Sequence, residues 1–99
     1  LRYHKLVIRS FNDKNAEAVW NRRNVKALGP EISRAGYKKL LILDAAADIN
    51  DLRVPPGNRL EKLVGDREGQ YSIRINGQYR LCFTWKDGGA DGVEIVDYH

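Results

Sequence analysis

The stretch SIRINGQYRLCFTW, residues 72–85, can fold in few ways. Apolar and polar residues alternate on both sides of Asn76-Gly77, the pattern of two antiparallel strands joined by a turn. Asn-Gly usually marks a two-residue type I′ hairpin, but that loop would set Ile75 against Gln78 and Ile73 against Arg80, mixing apolar and charged side chains on each face. An odd loop removes the conflict, because a one-residue slip carries every side chain of a strand to the opposite face. With Ile75-Asn76-Gly77 as a three-residue loop and Gly77 left-handed, Arg74 faces Gln78, Ser72 faces Arg80 and Ile73 faces Tyr79. One face then reads Tyr71, Ile73, Tyr79, Leu81, Phe83, Trp85 and needs a cover of helices. The other reads Ser72, Arg74, Gln78, Arg80, Cys82, Thr84, a solvated face on which two guanidiniums ride on rigid strands, a mount suited to phosphate. A plain solvated sheet face would show the same alternation, so a second feature must point to the same place.

The covering helices are legible upstream. Residues 7–11 form a strand candidate, after which Asn12 or Asp13 caps a helix over residues 14–22 with Ala16, Val19 and Trp20 on one face. Gly29-Pro30 opens a second helix, Pro30 standing where its missing N–H costs nothing, and Ile32, Gly36, Leu40, Leu43 and Ala47 keep an inward register. Pro55-Pro56-Gly57 cannot continue a helix or join a central strand, so it marks the joint of the chain. Strand candidates follow at 59–64, 70–75, 78–85 and 93–97, the last after a Gly-rich turn at 86–92. The expected architecture is α+β, a single domain over residues 1–99 with helices on one face of an antiparallel meander. Residues 1–6 read as an N-terminal extension with no function.

Composition narrows the partners. Ninety-nine residues suit one modest core. One cysteine excludes an intramolecular disulfide and, with two histidines, offers no metal-ligand spacing, so no metal or cofactor is expected and a reducing cytoplasmic setting is. Nothing resembles a membrane span or a signal segment. Residues 53–86 hold seven Lys/Arg against three acids, an excess that suits a polyanion.

The closing VEIVDYH supplies the second feature. The meander brings the end of the last strand near its neighbours, so Asp97, Tyr98 and His99 are expected at the sheet rim beside the arginines. A phenol, an imidazole and guanidiniums around one groove form a workable set for transesterification of RNA: a base for the 2′-OH proton, a cation for charge building on the phosphate, and an acid for the leaving 5′-oxygen.

The blocks LRVPPGNRLEKLVGDREGQYSIRINGQYRLCFTW and VEIVDYH, with LLILDAA at the end of the second helix, resemble HigB-type toxins of bacterial toxin–antitoxin systems, within the RelE/ParE superfamily. The resemblance implies a RelE-like fold, with two N-terminal helices packed on one face of a curved antiparallel sheet. It further implies ribosome-dependent cleavage of mRNA in the A site, the 2′-OH attacking the adjacent phosphate to leave a 2′,3′-cyclic phosphate and a 5′-OH. The implied partners are the ribosome, the message and a HigA-like helix-turn-helix antitoxin, through which alone operator DNA is bound. Residue by residue, Arg80 corresponds to the arginine that stabilises the scissile phosphate, and Gln78 to a substrate-contact position. Asp97, Tyr98 and His99 match an ending that lies in the active site of relatives. Arg74, Arg67 and Arg59 fall where RNA contacts are expected, and Lys62 joins them.

Some relatives read LHPLKGDREG where this chain reads LEKLVGDREG, so Glu61 stands at a catalytic His position and Val64 at a Lys position. His99 is then the imidazole left for chemistry; Glu61 is the candidate substitute base, although an exposed carboxylate beside Lys62 and Arg59 is expected to pair with one of them. Two other readings share the fold: a ParE-like gyrase poison, which needs no acid–base set, and a non-catalytic RNA- or ribosome-binding module.

Overall fold

The computed structural model describes residues 6–98, so His99 and residues 1–5 lie outside the described residues. Helix α1 spans Lys14–Trp20 and α2 spans Gly29–Asp44. Strands β1 (Glu61–Lys62), β2 (Gln70–Arg74), β3 (Tyr79–Lys86) and β4 (Gly89–Asp97) form one antiparallel sheet in that order. The α+β meander read from the sequence is therefore the observed architecture.

The Asp13 carboxylate starts α1 by accepting from the N–H groups of Asn15 and Ala16, and also accepts from Ile95 N at 3.1 Å, which ties the helix to β4. Asp44, at the end of α2, accepts from the N–H groups of Val7 and Ile8 at 3.1 and 3.0 Å. Residues 7–11 do not form a regular strand, and between their contacts with β4 the Gly92 N–H donates to Ser10 Oγ at 2.8 Å in place of a backbone carbonyl. Those contacts are two isolated parallel bridges, Ile8 to Ala90 and Phe11 to Val93. The end of α2 at Asp44 leaves Ala47 exposed, and Ala46 is buried in its stead. Between α2 and the sheet lie two short 3₁₀ turns, Ile49–Arg53 and Pro56–Asn58.

The hairpin between β2 and β3 keeps the expected parity but not the expected pairing. Arg74 pairs with Arg80, Ile73 with Leu81 and Ser72 with Cys82, a loop two residues longer than the three-residue one. The cause is Asn76, whose side-chain oxygen accepts from Gln78 N at 2.9 Å and Tyr79 N at 2.7 Å, closing the loop without a left-handed Gly77. Ile75 then points into the core. The type I′ turn sits elsewhere: Asp87 and Gly88 both have positive φ, 52° and 73°, between the paired Lys86 and Gly89, so β4 starts earlier than the 93–97 strand candidate. A bulge at Gly92-Val93, opposite Phe83, bends β4. A Cβ on Gly92 would lie 2.6 Å from the Asn12 amide.

Phe83, Leu81, Ile73, Leu40, Leu43 and Leu52 are fully buried between sheet and helices, each contributing about 2 kcal/mol. The opposite face is not the solvated one expected. Ser72 and Cys82 are fully buried and Arg80 is 7% exposed.

Candidate active site

Arg80 is the centre of the polar face. Its Nε donates to Ser72 Oγ at 2.8 Å, and Nη2 donates to the Arg59 carbonyl at 2.6 Å. The Glu61 carboxylate stands 3.7 Å from Nη2, and the Tyr98 ring lies 5.6 Å from the guanidinium carbon. Among the described residues Nη1 has no acceptor. A buried guanidinium held on one edge and open on the other is a pre-aimed cation for a phosphate oxygen.

Three elements build this seat. β2 supplies Ser72, β3 supplies Arg80, and the chain entering β1 supplies Arg59 and Glu61. Arg59 adopts a left-handed backbone, φ 46°, directly after the Pro56–Asn58 turn. The preceding residue, Asn58, is fully buried: its amide donates to the carbonyls of Leu52 and Val54 at 3.1 and 3.3 Å, and accepts from Lys39 Nζ at 2.6 Å. Burial, then the neighbouring Lys38 charge, hold the Lys39 pKa below the usual lysine range.

A pocket of about 220 Å³ is lined by Arg59, Glu61, Arg74, Asn76, Arg80 and Tyr98. A neighbouring one of about 320 Å³ shares Glu61 and Tyr98 and adds Lys62 and Arg67. The two form a continuous groove. Of the expected site residues, Arg59, Glu61, Lys62, Arg67, Arg74, Arg80 and Tyr98 line these two pockets, while His99 lies outside the described residues. Gln78 and Asp97 are not among the residues lining these pockets. They lie at the β3–β4 end, where Gln78 Nε2 donates to Asp97 Oδ2 at 3.1 Å and Tyr98 N donates to the Gln78 carbonyl at 2.7 Å, fixing the approach of Tyr98.

One expectation is corrected here. Glu61, 51% exposed in its side chain, pairs with Arg80 and not with Lys62 or Arg59, because β1 sets it directly opposite Ser72 on β2, and Arg80 reaches across the face of β2 to that same residue. Arg67 is tied down, donating to Gln70 Oε1 and Glu94 Oε2, both at 3.0 Å. The Glu94 hydrogen bond outweighs partial burial and raises the Arg67 pKa. Beneath this groove, burial pushes the Cys82 thiol up, opposed by the Arg67 charge. Sequence reasoning missed Ser72 as the Arg80 anchor and missed Asn58 entirely. The shared face of Ser72 and Arg80 was a usable signal for the first; an asparagine after Pro-Pro-Gly reads only as a turn residue.

The model of the family described as "RelE-like toxin of type II toxin-antitoxin system HigB" matches residues 9–99. Toxin HigB-1 of Vibrio cholerae is 49% identical over 81 residues, 81% of this chain and 85% of that protein. Endoribonuclease HigB of Proteus vulgaris is 27% identical over 93 residues, 94% of this chain and all of that protein. Among solved structures, the YoeB-YefM complex from Staphylococcus aureus superposes with a TM-score of 0.59 at 23% identity, covering 96% of this chain and 98% of that one, a likeness of fold. With two helices on a four-stranded antiparallel sheet and the family pattern running through nearly the whole chain, this protein belongs to the HigB-like, RelE-like toxins of type II toxin–antitoxin systems.

Proposed function

We propose that this toxin is a ribosome-dependent endoribonuclease that cuts mRNA in the A site. The observation that carries the reading is the seat of Arg80: buried, bonded on one edge, open at Nη1, and sharing a pocket with Glu61 and Tyr98. The name of the Proteus vulgaris relative, an endoribonuclease, supports the same chemistry.

In the proposed reaction the 2′-oxygen attacks the adjacent phosphorus and the P–O5′ bond breaks. A base removes the 2′-OH proton, Arg80 Nη1 balances charge on the non-bridging oxygen, and an acid protonates the leaving 5′-oxygen. The products are a 2′,3′-cyclic phosphate and a 5′-OH. Glu61, Tyr98 and His99 are the groups available for the two proton transfers, with Asp97 and Gln78 holding the strand end that presents Tyr98. Arg59, Lys62, Arg67 and Arg74 rim the groove as RNA contacts. The ribosome presents the message, and a HigA-like helix-turn-helix antitoxin neutralises the toxin and carries any operator binding.

Glu61→Gln tests the acid–base part. Because Glu61 is half exposed, stability should change by less than about 0.5 kcal/mol, while cleavage of ribosome-bound message should slow by about 10²-fold or more if the carboxylate moves the proton. An unchanged rate would remove Glu61 from the mechanism. Inhibition of gyrase supercoiling with messages left intact would replace the whole reading.

A further inference from the structure

A row of directly opposed residues crosses the polar face of the sheet. Glu61 on β1 faces Ser72 on β2, Ser72 faces Cys82 on β3, and Cys82 faces Glu94 on β4. Opposed residues point the same way, so the row runs under the candidate site at about 4.8 Å per strand. Its centre is two small buried side chains, and each end is a carboxylate. Each carboxylate takes one guanidinium: Glu61 stands 3.7 Å from Arg80 Nη2, and Glu94 Oε2 accepts from Arg67 Nη1 at 3.0 Å. Burial raises the Cys82 thiol between them, while the Arg67 and Arg80 charges both oppose the rise. The Arg80 half of this arrangement has its part in the proposed reaction. The Glu94 half has none.

Arg67 comes from the chain between β1 and β2, which Leu63 N closes by donating to the Gln70 carbonyl at 2.8 Å. Of residues 64–69, Arg67 alone is not exposed, and Val64 is 81% exposed. Its Nη1 donates to acceptors on two strands, Gln70 Oε1 at the start of β2 and Glu94 Oε2 in β4, both at 3.0 Å. Among the described residues Nε and Nη2 have no acceptor. Arg67 also lines the pocket of about 320 Å³ that holds Glu61 and Tyr98.

The Arg67–Glu94 pair leaves 34% and 24% of its side-chain surfaces exposed, and such a pair contributes little to stability. What it fixes is direction. A free arginine spreads its charge over many rotamers, whereas one gripped at Nη1 from two strands presents Nε and Nη2 along a single line. Arg80 is built alike, bonded on one edge and open on the other. An RNA strand carries a phosphate at every nucleotide, so two fixed guanidiniums in one groove fit two phosphates of the same strand.

We propose that Glu94 is a positioning residue that acts through Arg67, aiming its free edge at a phosphate next to the scissile one, so that the strand lies in line at Arg80. The proposal rests on the endoribonuclease reading. Charge alone predicts the opposite effect: a carboxylate that merely offset Arg67 would repel a polyanion, and its removal would quicken cutting.

The test is the cutting rate on ribosomes programmed with synthetic messages in which the linkage on one side of the cut or the other is an uncharged methylphosphonate. The ribose before that linkage is 2′-O-methyl both in these messages and in the all-phosphate control. One of the two neutral linkages should slow wild-type protein by about tenfold or more. Arg67→Ala and Glu94→Ala should each be about tenfold slow on the control message, and in both the penalty of the neutral linkage should shrink to within about twofold. Glu94→Gln keeps an acceptor for Nη1, so it should retain the penalty and a rate within about threefold of wild type. All three variants should melt within roughly 3 °C of wild type. Glu94→Ala cutting as fast as wild type, or showing the full penalty, would overturn the proposal and leave the endoribonuclease reading in place. So would wild-type protein indifferent to both neutral linkages. Wild-type protein that leaves the control message intact would overturn that reading, and this proposal with it.

Discussion

At the scale of single residues, the molecule concentrates its polar investment on Arg80. A buried guanidinium must have its donors met, and Ser72 Oγ and the Arg59 carbonyl meet them on one edge. Ser72→Ala leaves Nε facing no acceptor. Urea unfolding should report a loss of about 1–3 kcal/mol, and the cleavage rate should fall with Arg80 no longer fixed in its plane; a variant as stable as wild type would show that Ser72 is not the anchor. Cys82 makes a pH-dependent prediction. Its folded pKa is raised by burial, so the stability it contributes is fully present below the unfolded thiol value, about 8.5, and is lost as pH rises through the higher folded value. Cys82→Ala should flatten the decline of stability on the alkaline side of about pH 8.5 in denaturant titrations. A slope equal to that of wild type would place the alkaline titration elsewhere. The importance of Arg80 was legible in the sequence from face parity alone. Its burial was not, because a strand pattern says which face a residue takes and nothing about what closes over that face.

At the scale of elements, the site depends on a segment with almost no regular structure. Residues 52–59 are held through Asn58, which bonds Leu52, Val54 and Lys39 at once, and the next residue delivers its carbonyl to Arg80. Asn58→Ala would strand two carbonyls and a partly buried ammonium. It should cost about 2–3 kcal/mol in chemical denaturation and reduce cleavage beyond what the unfolded fraction explains. A loss of stability with full specific activity in the folded fraction would detach this loop from the site. The helices and the order of the meander were readable because periodicity and caps are local. The register of β2 and β3 was not, because Asn76 and Gly77 compete to close the loop and only the bond distances decide that Asn76 wins. Likewise the strand expected over residues 7–11 is reduced to two bridges, because Gly92, 82 residues from Ser10, gives its N–H to the serine hydroxyl and not to the backbone.

At the scale of the whole molecule, the two sheet faces divide the work. The helices seal one, and the chain from the joint to β2, together with the end of β4, closes over the other around Arg80. The formal charge of +4 favours approach to RNA and predicts that association weakens with salt. The family was legible because its motifs run through the chain in order. In the proposed reaction everything turns on Arg80 stabilising the phosphate during cleavage. Primer extension on a message in a reconstituted translation reaction tests it most directly. Wild-type protein should give cuts within A-site codons, with 5′-OH and 2′,3′-cyclic phosphate ends, and Arg80→Ala at matched folding should cut at least about 100-fold more slowly. Cutting by Arg80→Ala within about threefold of wild type, or an intact message with wild-type protein, would contradict it.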